Sequence, residues 1–261
     1  MIKLIASDID GTILPEGTDL VNPELYDVIR ALKKKGIRFA AASGRQYESM
    51  HHVFAPVEED IYFIAENGTN LMYRGKCLDY VPLDGRTAEE VIRFIRAQEG
   101  CRLIVSTPEI MYTEGYEEAF LDWLVNGYHN KVTVTEDAVT LCSRVNKISL
   151  YHPEKAALLA EEARKQFGDR LYVTLAGQPW IDFMPKGTDK GTALAQLQQR
   201  LGVSREETMA FGDNCNDISM ICQAGESYAV ANAHPQLKEA AKYMTGSYEE
   251  DGVLQVLRQL L

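Results

Sequence analysis

The chain has 261 residues, of which 46% are hydrophobic, and it carries a formal net charge of −11 with a sequence pI of about 5.0. This length and apolar content allow one large domain or two modest ones and argue against wholesale disorder. The acidic balance opposes nonspecific binding to nucleic acid or to an anionic membrane surface, so an anionic substrate would need a local cation.

The cysteines and the N-terminus bear on the compartment. Five cysteines are an odd number and no two have CxxC spacing, which favours free thiols in a reducing environment over disulfides. Met1 runs almost directly into an acidic motif, so no signal peptide fits, and no uncharged apolar stretch is long enough to span a bilayer. We therefore expect a cytoplasmic protein with no membrane partner and no nucleic-acid partner.

The first part of the chain alternates predicted strands with a predicted helix. The apolar residues from 2 to 8 indicate a buried strand. Asn22, before a proline and an acid, predicts a helix N-terminus, and Gly36 after three lysines predicts the end of that helix. Residues 37–42 and 61–65 indicate two further strands, each followed by a polar or glycine-containing turn.

The middle of the chain has a different order of elements, helix then strand then strand, which occurs twice. This order predicts an α+β domain with an antiparallel sheet. We predict that this domain is inserted at residues 84–184 between the two parts of an α/β core, 1–83 and 185–261. The predicted elements of the insertion are helices near 87–98, 117–126 and 153–167 and strands near 102–107, 110–113, 132–136, 145–151, 170–175 and 180–184.

The last part of the chain returns to the alternating pattern. A helix is predicted from 188 to 200, a short buried strand at 208–211, another strand at 227–231 and a final amphipathic helix at 252–261. Alternating strands and helices predict an α/β core with a Rossmann-like, doubly wound parallel sheet. Ligands of such open sheets bind outside the carboxyl ends of the strands, which is where the polar turns fall.

Two carboxylates at the end of the first predicted strand are the most informative feature. Asp8 and Asp10 are two residues apart, so on a regular strand they point to the same side and could meet one phosphate. Acids at the end of a buried strand are costly unless a cation or hydrogen-bond donors compensate them. The alternative is that both are simply turn-forming acids.

Three other polar segments follow predicted strands or start a predicted helix. Ser43-Gly44-Arg45 alone would be a helix-capping turn. Lys190 is predicted near a helix N-terminus, where the dipole disfavours a cation, so a nearby anion is the better explanation for it. The segment from Gly212 to Asp217 holds two acids and two asparagines, and it could be either a capped loop or part of a metal site.

These segments, in this order, resemble the motifs of the haloacid dehalogenase-like superfamily, and the resemblance covers essentially the whole chain. Two further segments, Glu66-Asn67-Gly68-Thr69 and Glu250-Asp251-Gly252-Val253, are similar to its Cof-type sugar-phosphatase branch. The resemblance implies that the insertion is the α+β cap domain of that branch. The core motifs are Asp8-Ile9-Asp10-Gly11-Thr12, Ser43-Gly44-Arg45, Lys190-Gly191 and Gly212-Asp213-Asn214-Cys215-Asn216-Asp217.

The resemblance also implies a role for each motif residue. Asp8 would attack phosphorus to form an aspartyl-phosphate, and Asp10 would protonate the leaving alcohol and then activate water. The Asp8 carboxylate, the Asp10 backbone carbonyl and Asp213 would hold Mg²⁺. The implied phosphate-binding residues are Ser43, Lys190, Asn216, Gly11 and Thr12. The implied supporting residues are Asp217, which would orient Lys190 or the metal waters, and Arg45, Asn67 and Gly44.

The predicted function is that of a Mg²⁺-dependent phosphatase that hydrolyses small phosphorylated metabolites, sugar phosphates above all, through an aspartyl-phosphate intermediate. A phosphosugar mutase would share this chemistry, and a non-catalytic phosphometabolite-binding regulator would share the binding site. Asp10 argues against dehalogenase activity, because dehalogenases of the family generally lack this second acid. We expect residues 84–184 to close over the substrate and to set its specificity.

Overall fold

The structure is a computed structural model, and the residues that it describes are 1–115, 117–176 and 178–261. The chain folds into two compact units, here called the core unit and the inserted unit. The core unit consists of Met1–Asp79 and Asp189–Leu261, and the inserted unit of Tyr80–Thr188. The predicted insertion, residues 84–184, lies within the inserted unit.

The described part of the chain forms fourteen strands, eight in one sheet and six in another. In chain order they are β1 Leu4–Asp8, β2 Arg38–Ala42, β3 Ile61–Ala65, β4 Asn70–Tyr73, β5 Lys76–Tyr80, β6 Arg102–Ser106, β7 Met111–Glu114, β8 Val132–Thr135, β9 Lys147–Tyr151, β10 Leu171–Leu175, β11 Trp180–Pro185, β12 Thr208–Gly212, β13 Glu226–Val230 and β14 Tyr243–Thr245.

Nine α-helices lie in the same described ranges, and none of them is both long enough and apolar enough to cross a bilayer. In chain order they are α1 Glu24–Lys34, α2 Tyr47–Phe54, α3 Gly85–Arg96, α4 Glu118–Asp122, α5 Ala156–Phe167, α6 Lys190–Leu201, α7 Ile218–Gln223, α8 Pro235–Ala240 and α9 Gly252–Arg258.

The core unit is built on the eight-stranded sheet, whose order is β14-β13-β12-β1-β2-β3-β4-β5. The six strands from β14 to β3 are parallel, and β4 pairs antiparallel with β3. β1 has a parallel neighbour on each side, and all five of its residues are buried, which is why it reads as a continuous apolar run. The predicted fold class, an α/β core with an inserted α+β unit, is confirmed. The strands β4, β5 and β14 were not among the predicted strands.

Local sequence signals account for several helix ends. The side-chain oxygen of Asn22 accepts a hydrogen bond from the backbone N–H of Glu24 at 3.1 Å, at the start of α1. Asp189 caps α6 by accepting from a backbone N–H in its first turn at 2.8 Å, so this helix begins at Lys190. Gly202 ends the same helix in the left-handed region, with φ at +63°.

The inserted unit is built on the six-stranded sheet, whose order is β10-β11-β9-β6-β7-β8. Its described pairs are antiparallel except β7 with β8, which is parallel, so the prediction of an antiparallel sheet is wrong at this pair. The cause is the helical segment between these two strands, α4 continued by a π-helical turn at Trp123–Gly127. A crossover helix returns the chain to start the next strand in the same direction.

Each unit buries its own apolar residues. In the core unit, helices and sheet share one cluster that includes Leu4, Phe39, Phe63 and Leu194. In the inserted unit, the larger cluster joins α3 and α5 to one face of the sheet, and a second, smaller cluster lies around Phe120. Separate cores of this kind are what two independently packed domains require.

Helices α6 and α7 approach each other closely at Gly191, which follows Lys190. A Cβ atom on Gly191 would lie 2.5 Å from both the carbonyl carbon and the carbonyl oxygen of Ser219. The side chain of Ser219 also accepts a hydrogen bond from the Gly191 backbone N–H at 3.1 Å. Any residue larger than glycine would therefore force the two helices apart.

We predict that Gly191→Ala lowers the free energy of unfolding by about 1–3 kcal/mol, the usual cost of overpacking. Gly85→Ala is the matched control, because Gly85 also opens a helix and a Cβ there would be no closer than 3.5 Å to its neighbours. Alanine is the better helix former, so the control should be neutral or slightly stabilising. Urea unfolding of both variants measures the difference, and equal effects would contradict the close approach.

Candidate active site

Asp8 is the last residue of β1, at the carboxyl end of a strand with a parallel neighbour on each side. It is only 5% exposed. Its Oδ1 accepts a hydrogen bond from Nζ of Lys190 at 2.5 Å, whereas its buried Oδ2 has no hydrogen-bond partner among the described residues. A buried carboxylate oxygen without a partner is costly, so this atom is suited to meet a ligand.

Lys190 is the first residue of α6, and it is 1% exposed. Its Nζ donates to Oδ1 of Asp8 and, at 2.6 Å, to Oδ1 of Asp217. Burial opposes the positive charge, but Asp217 and Asp8 outweigh it and raise the pKa of Lys190 above its ordinary value. The two acids thus explain a cation at a helix N-terminus, where the dipole alone would disfavour it.

Asp217 is fully buried and fixes the loop that follows β12. Its Oδ2 accepts from the backbone N–H groups of Asp213 and Asn214, each at 3.1 Å, while its Oδ1 accepts from Lys190. A Cβ on Gly212 would lie 2.6 Å from the Asp217 Cβ, so the turn closes only around a glycine. This local geometry brings the end of β12 to the start of α6.

Asp213 lies at the same strand end and is partly buried. Thr12 donates its hydroxyl to Oδ1 of Asp213 at 3.4 Å. Gly11, at φ +75°, lies against the Asp213 carboxylate, where a Cβ would collide with it. Burial, together with the charge of Asp217, raises the pKa of Asp213 to about 6. The contribution of Asp217 to this shift shows that negative charge is concentrated at the end of β12.

Three carboxylates, those of Asp8, Asp213 and Asp217, form an acidic cluster in which one oxygen of each lies within 4.8 Å of the others. The ammonium of Lys190 balances one of their three charges. Burial, followed by the charge of Asp217, also raises the pKa of Asp8, although Lys190 opposes this shift. The two uncompensated carboxylate charges of this cluster fit a hard divalent cation, which prefers oxygen ligands.

Asp10 faces a different partner. Its carboxylate accepts from Nε of Arg45 at 2.9 Å and from Nη2 at 2.6 Å, the two-bond arrangement for which a guanidinium is suited. Arg45 also donates to Oδ1 of Asp19 at 2.8 Å and to the backbone carbonyl of Thr18 at 2.7 Å. The guanidinium of Arg45 is thus fixed by Asp19 and Thr18, and it in turn fixes the carboxylate of Asp10.

The turns after β2 and β3 meet beside these acids. The backbone N–H of Asn67 donates to the carbonyl of Ser43 at 2.9 Å, and the Ser43 hydroxyl lies 3.5 Å from Oδ2 of Asp10. A Cβ on Gly44 would lie 3.2 Å from Nδ2 of Asn67. Asn216, which is exposed, donates to Oδ1 of Asn67 at 3.1 Å. All four strand-end segments named from the sequence therefore lie in one region of the core unit.

Two contacts of this region were not predicted from the sequence. Nδ2 of Asn232 donates to the carbonyl of Gly11 at 2.7 Å, and the backbone N–H of His234 donates to the carbonyl of Asp213 at 2.7 Å. Both residues follow β13. The one available signal was their position after the carboxyl end of a parallel strand, since neither belongs to a motif.

Comparison with known proteins identifies the family. Residues 5–257 match the haloacid dehalogenase-like hydrolase family. This chain is a haloacid dehalogenase-like hydrolase. A similar solved structure, from Eubacterium rectale, has 34% identity, a TM-score of 0.92 and coverage of 100% of this chain and 99% of the other. Another solved structure, from Thermotoga maritima, has 25% identity, a TM-score of 0.87 and coverage of 99% and 97%.

Similar curated proteins carry phosphatase names. A 5-amino-6-(5-phospho-D-ribitylamino)uracil phosphatase from Escherichia coli is 30% identical over 262 residues, covering 100% of this chain and 96% of that protein. An HMP-PP phosphatase from Serratia proteamaculans is 28% identical, covering 100% and 96%. The expected family and the expected class of enzyme, a phosphoric monoester hydrolase, are confirmed for this haloacid dehalogenase-like chain.

Proposed function

We propose that this phosphatase depends on Mg²⁺ and hydrolyses small phosphorylated metabolites, sugar phosphates above all, through an aspartyl-phosphate on Asp8. The observation that carries the proposal is the buried Asp8 carboxylate. Lys190 holds one of its oxygens, and the other has no hydrogen-bond partner in the part of the chain that the structure describes. An oriented carboxylate with a free lone pair and neighbouring positive charge is what nucleophilic attack on a phosphate ester requires.

In the first step, Oδ2 of Asp8 attacks phosphorus, a new O–P bond forms, and the bond from phosphorus to the ester oxygen breaks. Charge on the transferring group is then shared among three oxygens. We assign Ser43, Lys190 and Asn216 to those oxygens, together with the backbone around Gly11 and Thr12. Lys190 is already fixed beside Asp8, so it offers a positioned positive charge without further ordering.

In the proton-transfer steps, Asp10 gives a proton to the leaving oxygen and later takes one from the water that hydrolyses the aspartyl-phosphate. Both carboxylate oxygens of Asp10 accept from Arg45. A proton-carrying Asp10 must therefore exchange one of these bonds for a bond to the leaving oxygen. Arg45, Gly44 and Asn67 thus act by positioning Asp10 and Ser43, and Asp217 by positioning Lys190.

For the metal, we assign Mg²⁺ to the carboxylates of Asp8 and Asp213 and the backbone carbonyl of Asp10. Asp217 is within reach as part of the same acidic cluster. Bound there, Mg²⁺ would neutralise the attacking carboxylate and the phosphoryl oxygens. The residues present fit this ion in charge, because three carboxylates and one ammonium leave a net negative charge. They also fit it in ligand type, because Mg²⁺ prefers oxygen ligands.

The proposed setting is the cytoplasm, with a small phosphorylated metabolite as the partner and neither nucleic acid nor membrane. All five cysteines are free thiols, and the net charge of −11 supports exclusion of nucleic acid. We also propose that residues 84–184 act as a cap that sets specificity. The phosphoribityl group in the name of the Escherichia coli relative supports polyol and sugar phosphates as the substrate class.

We predict that Asp8→Asn lowers kcat at least about a thousandfold, because the amide is no nucleophile. Asp27→Asn, at an exposed position on α1, is the control and should keep wild-type turnover. Phosphate release and product analysis with sugar phosphates provide the measurement. Undiminished turnover by Asp8→Asn would rule out the covalent step, and an isomeric sugar phosphate in place of free phosphate would identify a mutase.

We also predict that excess EDTA abolishes phosphate release and that added Mg²⁺ restores it. Asp213→Asn removes one charged ligand, so the Mg²⁺ concentration for half-maximal activity should rise about tenfold or more. Asp27→Asn should leave that concentration unchanged. Full activity in EDTA would contradict the metal assignment, and an unchanged Mg²⁺ requirement in Asp213→Asn would remove Asp213 from the ligand set.

A further inference from the structure

The core unit contains a cavity of about 250 Å³ that no step of the proposed function uses. Its walls come from three segments: α2, the 3₁₀-helical segment Ala55–Asp60 and the turn between β4 and β5. The volume approaches that of small-molecule sites, which is about 300–1,000 Å³. The side chains that line this cavity, here called the glutamate cavity, are Tyr47, Glu48, His51, Glu58, Glu59 and Arg74.

Two of the three segments lie at the other end of the strands from the candidate active site. The acids of that site follow the carboxyl ends of parallel strands, whereas Ala55–Asp60 leads into the start of β3. β4 runs antiparallel to β3, with Tyr73 opposite Tyr62, so the turn after β4 also lies beside the start of β3. The glutamate cavity is therefore a separate feature of the core unit.

The charges that line the cavity do not balance. Glu58 contacts Nε2 of His51, whereas the carboxylates of Glu48 and Glu59 form no hydrogen bond or ion pair with any described residue. Arg74 donates by Nε to the backbone carbonyl of Glu59 at 3.1 Å. Three carboxylates thus exceed one guanidinium, and the lining stays negative even when the imidazole is protonated.

Tyr47 shows that this negative charge acts on a nearly buried group. It is 7% exposed, its ring packs against Phe63 with centroids 5.2 Å apart, and its hydroxyl donates no hydrogen bond to the described residues. Burial, followed by the charges of Glu58 and Glu48, raises the pKa of Tyr47, although the backbone N–H of Gly75 opposes this shift. Like charges around a poorly solvated group repel one another, and a bound cation would relieve that repulsion.

The spacing of the carboxylates determines which kind of cation fits. Within the described ranges, the lining groups provide no three ligand atoms that lie within 4.8 Å of one another, as a single metal ion would need. An organic cation with separated ammonium groups can reach separated carboxylates, and each ammonium offers three hydrogen-bond donors. The net negative charge disfavours an anion such as a second phosphate ester.

We propose that the glutamate cavity binds a small aliphatic diamine in its doubly protonated form, with Glu48 and Glu59 accepting hydrogen bonds from its ammonium groups. Hydrogen bonds between ammonium and carboxylate groups are charge-assisted, which makes them about twice as strong as neutral ones. The inference goes beyond the proposed function, because no side chain that lines the cavity is assigned to catalysis, to the phosphate or to the metal.

The test is calorimetric titration with 1,4-diaminobutane and with 1,4-butanediol, which has the same carbon chain and no charge. An ionic strength of about 0.15 M and excess Mg²⁺ screen the general attraction of cations to an acidic protein. The wild type should bind one diamine and should not bind the diol. Glu48→Gln/Glu59→Gln should raise the Kd for the diamine about tenfold or more, because both charge-assisted hydrogen bonds are weakened.

Two control variants separate this cavity from other acids. Glu162→Gln/Glu239→Gln removes two exposed carboxylates, on α5 and α8, and should leave the Kd unchanged. Asp213→Asn removes one acid of the candidate active site and should also leave the Kd unchanged. Glu48→Gln/Glu59→Gln itself should keep the wild-type thermal unfolding transition and wild-type phosphate release.

A wild type that binds no diamine would overturn the proposal. Equal binding of the diol, or an equal loss of affinity in Glu162→Gln/Glu239→Gln, would do the same. Weaker binding in Asp213→Asn with none lost in Glu48→Gln/Glu59→Gln would place the diamine at the acidic cluster and contradict the cavity. None of these results bears on the phosphatase assignment, which Asp8→Asn tests separately.

Discussion

The ammonium of Lys190, buried between the carboxylates of Asp8 and Asp217, is the interaction on which the rest of the site depends. One charge of each sign would make a simple buried ion pair. Here a third carboxylate, Asp213, joins them, so the region holds more negative charge than the protein itself neutralises. Burial, together with the charge of Asp217, raises the pKa of Asp8 and Asp213. The excess of carboxylate charge favours binding of a divalent cation.

Backbone geometry makes this concentration of charge possible. The acids lie at the carboxyl ends of parallel strands, where the chain leaves the sheet and backbone N–H groups are available, as for Asp217. Gly11 and Gly212 stand where a Cβ would run into Asp213 and Asp217. These close approaches hold the polar loops against the acidic side chains, which favours preorganised electrostatics over a flexible binding loop.

The features that could be predicted from the sequence are those that depend on a local pattern of residues. Buried strands read as apolar runs, so the placement of Asp8 at a strand end followed directly, and Lys190 at a helix start implied an anion. The sequence could not show which distant side chains form hydrogen bonds with each other. No local pattern indicates that Arg45 donates to both carboxylate oxygens of Asp10. The parallel β7–β8 pair was missed although a helix was predicted between these strands, because sheet direction was taken from the repeated order of elements.

The most direct measurement is a double-mutant cycle on Lys190 and Asp217, by urea unfolding in EDTA. Lys190→Met should lower the free energy of unfolding by about 3–5 kcal/mol, because two buried acids lose their cation. The double variant Lys190→Met/Asp217→Asn should lose less stability than the sum of the two single losses. The difference, which is the coupling energy, should be about 1 kcal/mol or more. The exposed-site variant Lys34→Met should stay within about 0.5 kcal/mol of wild type. A Lys190→Met variant as stable as Lys34→Met, with no coupling to Asp217, would contradict the account.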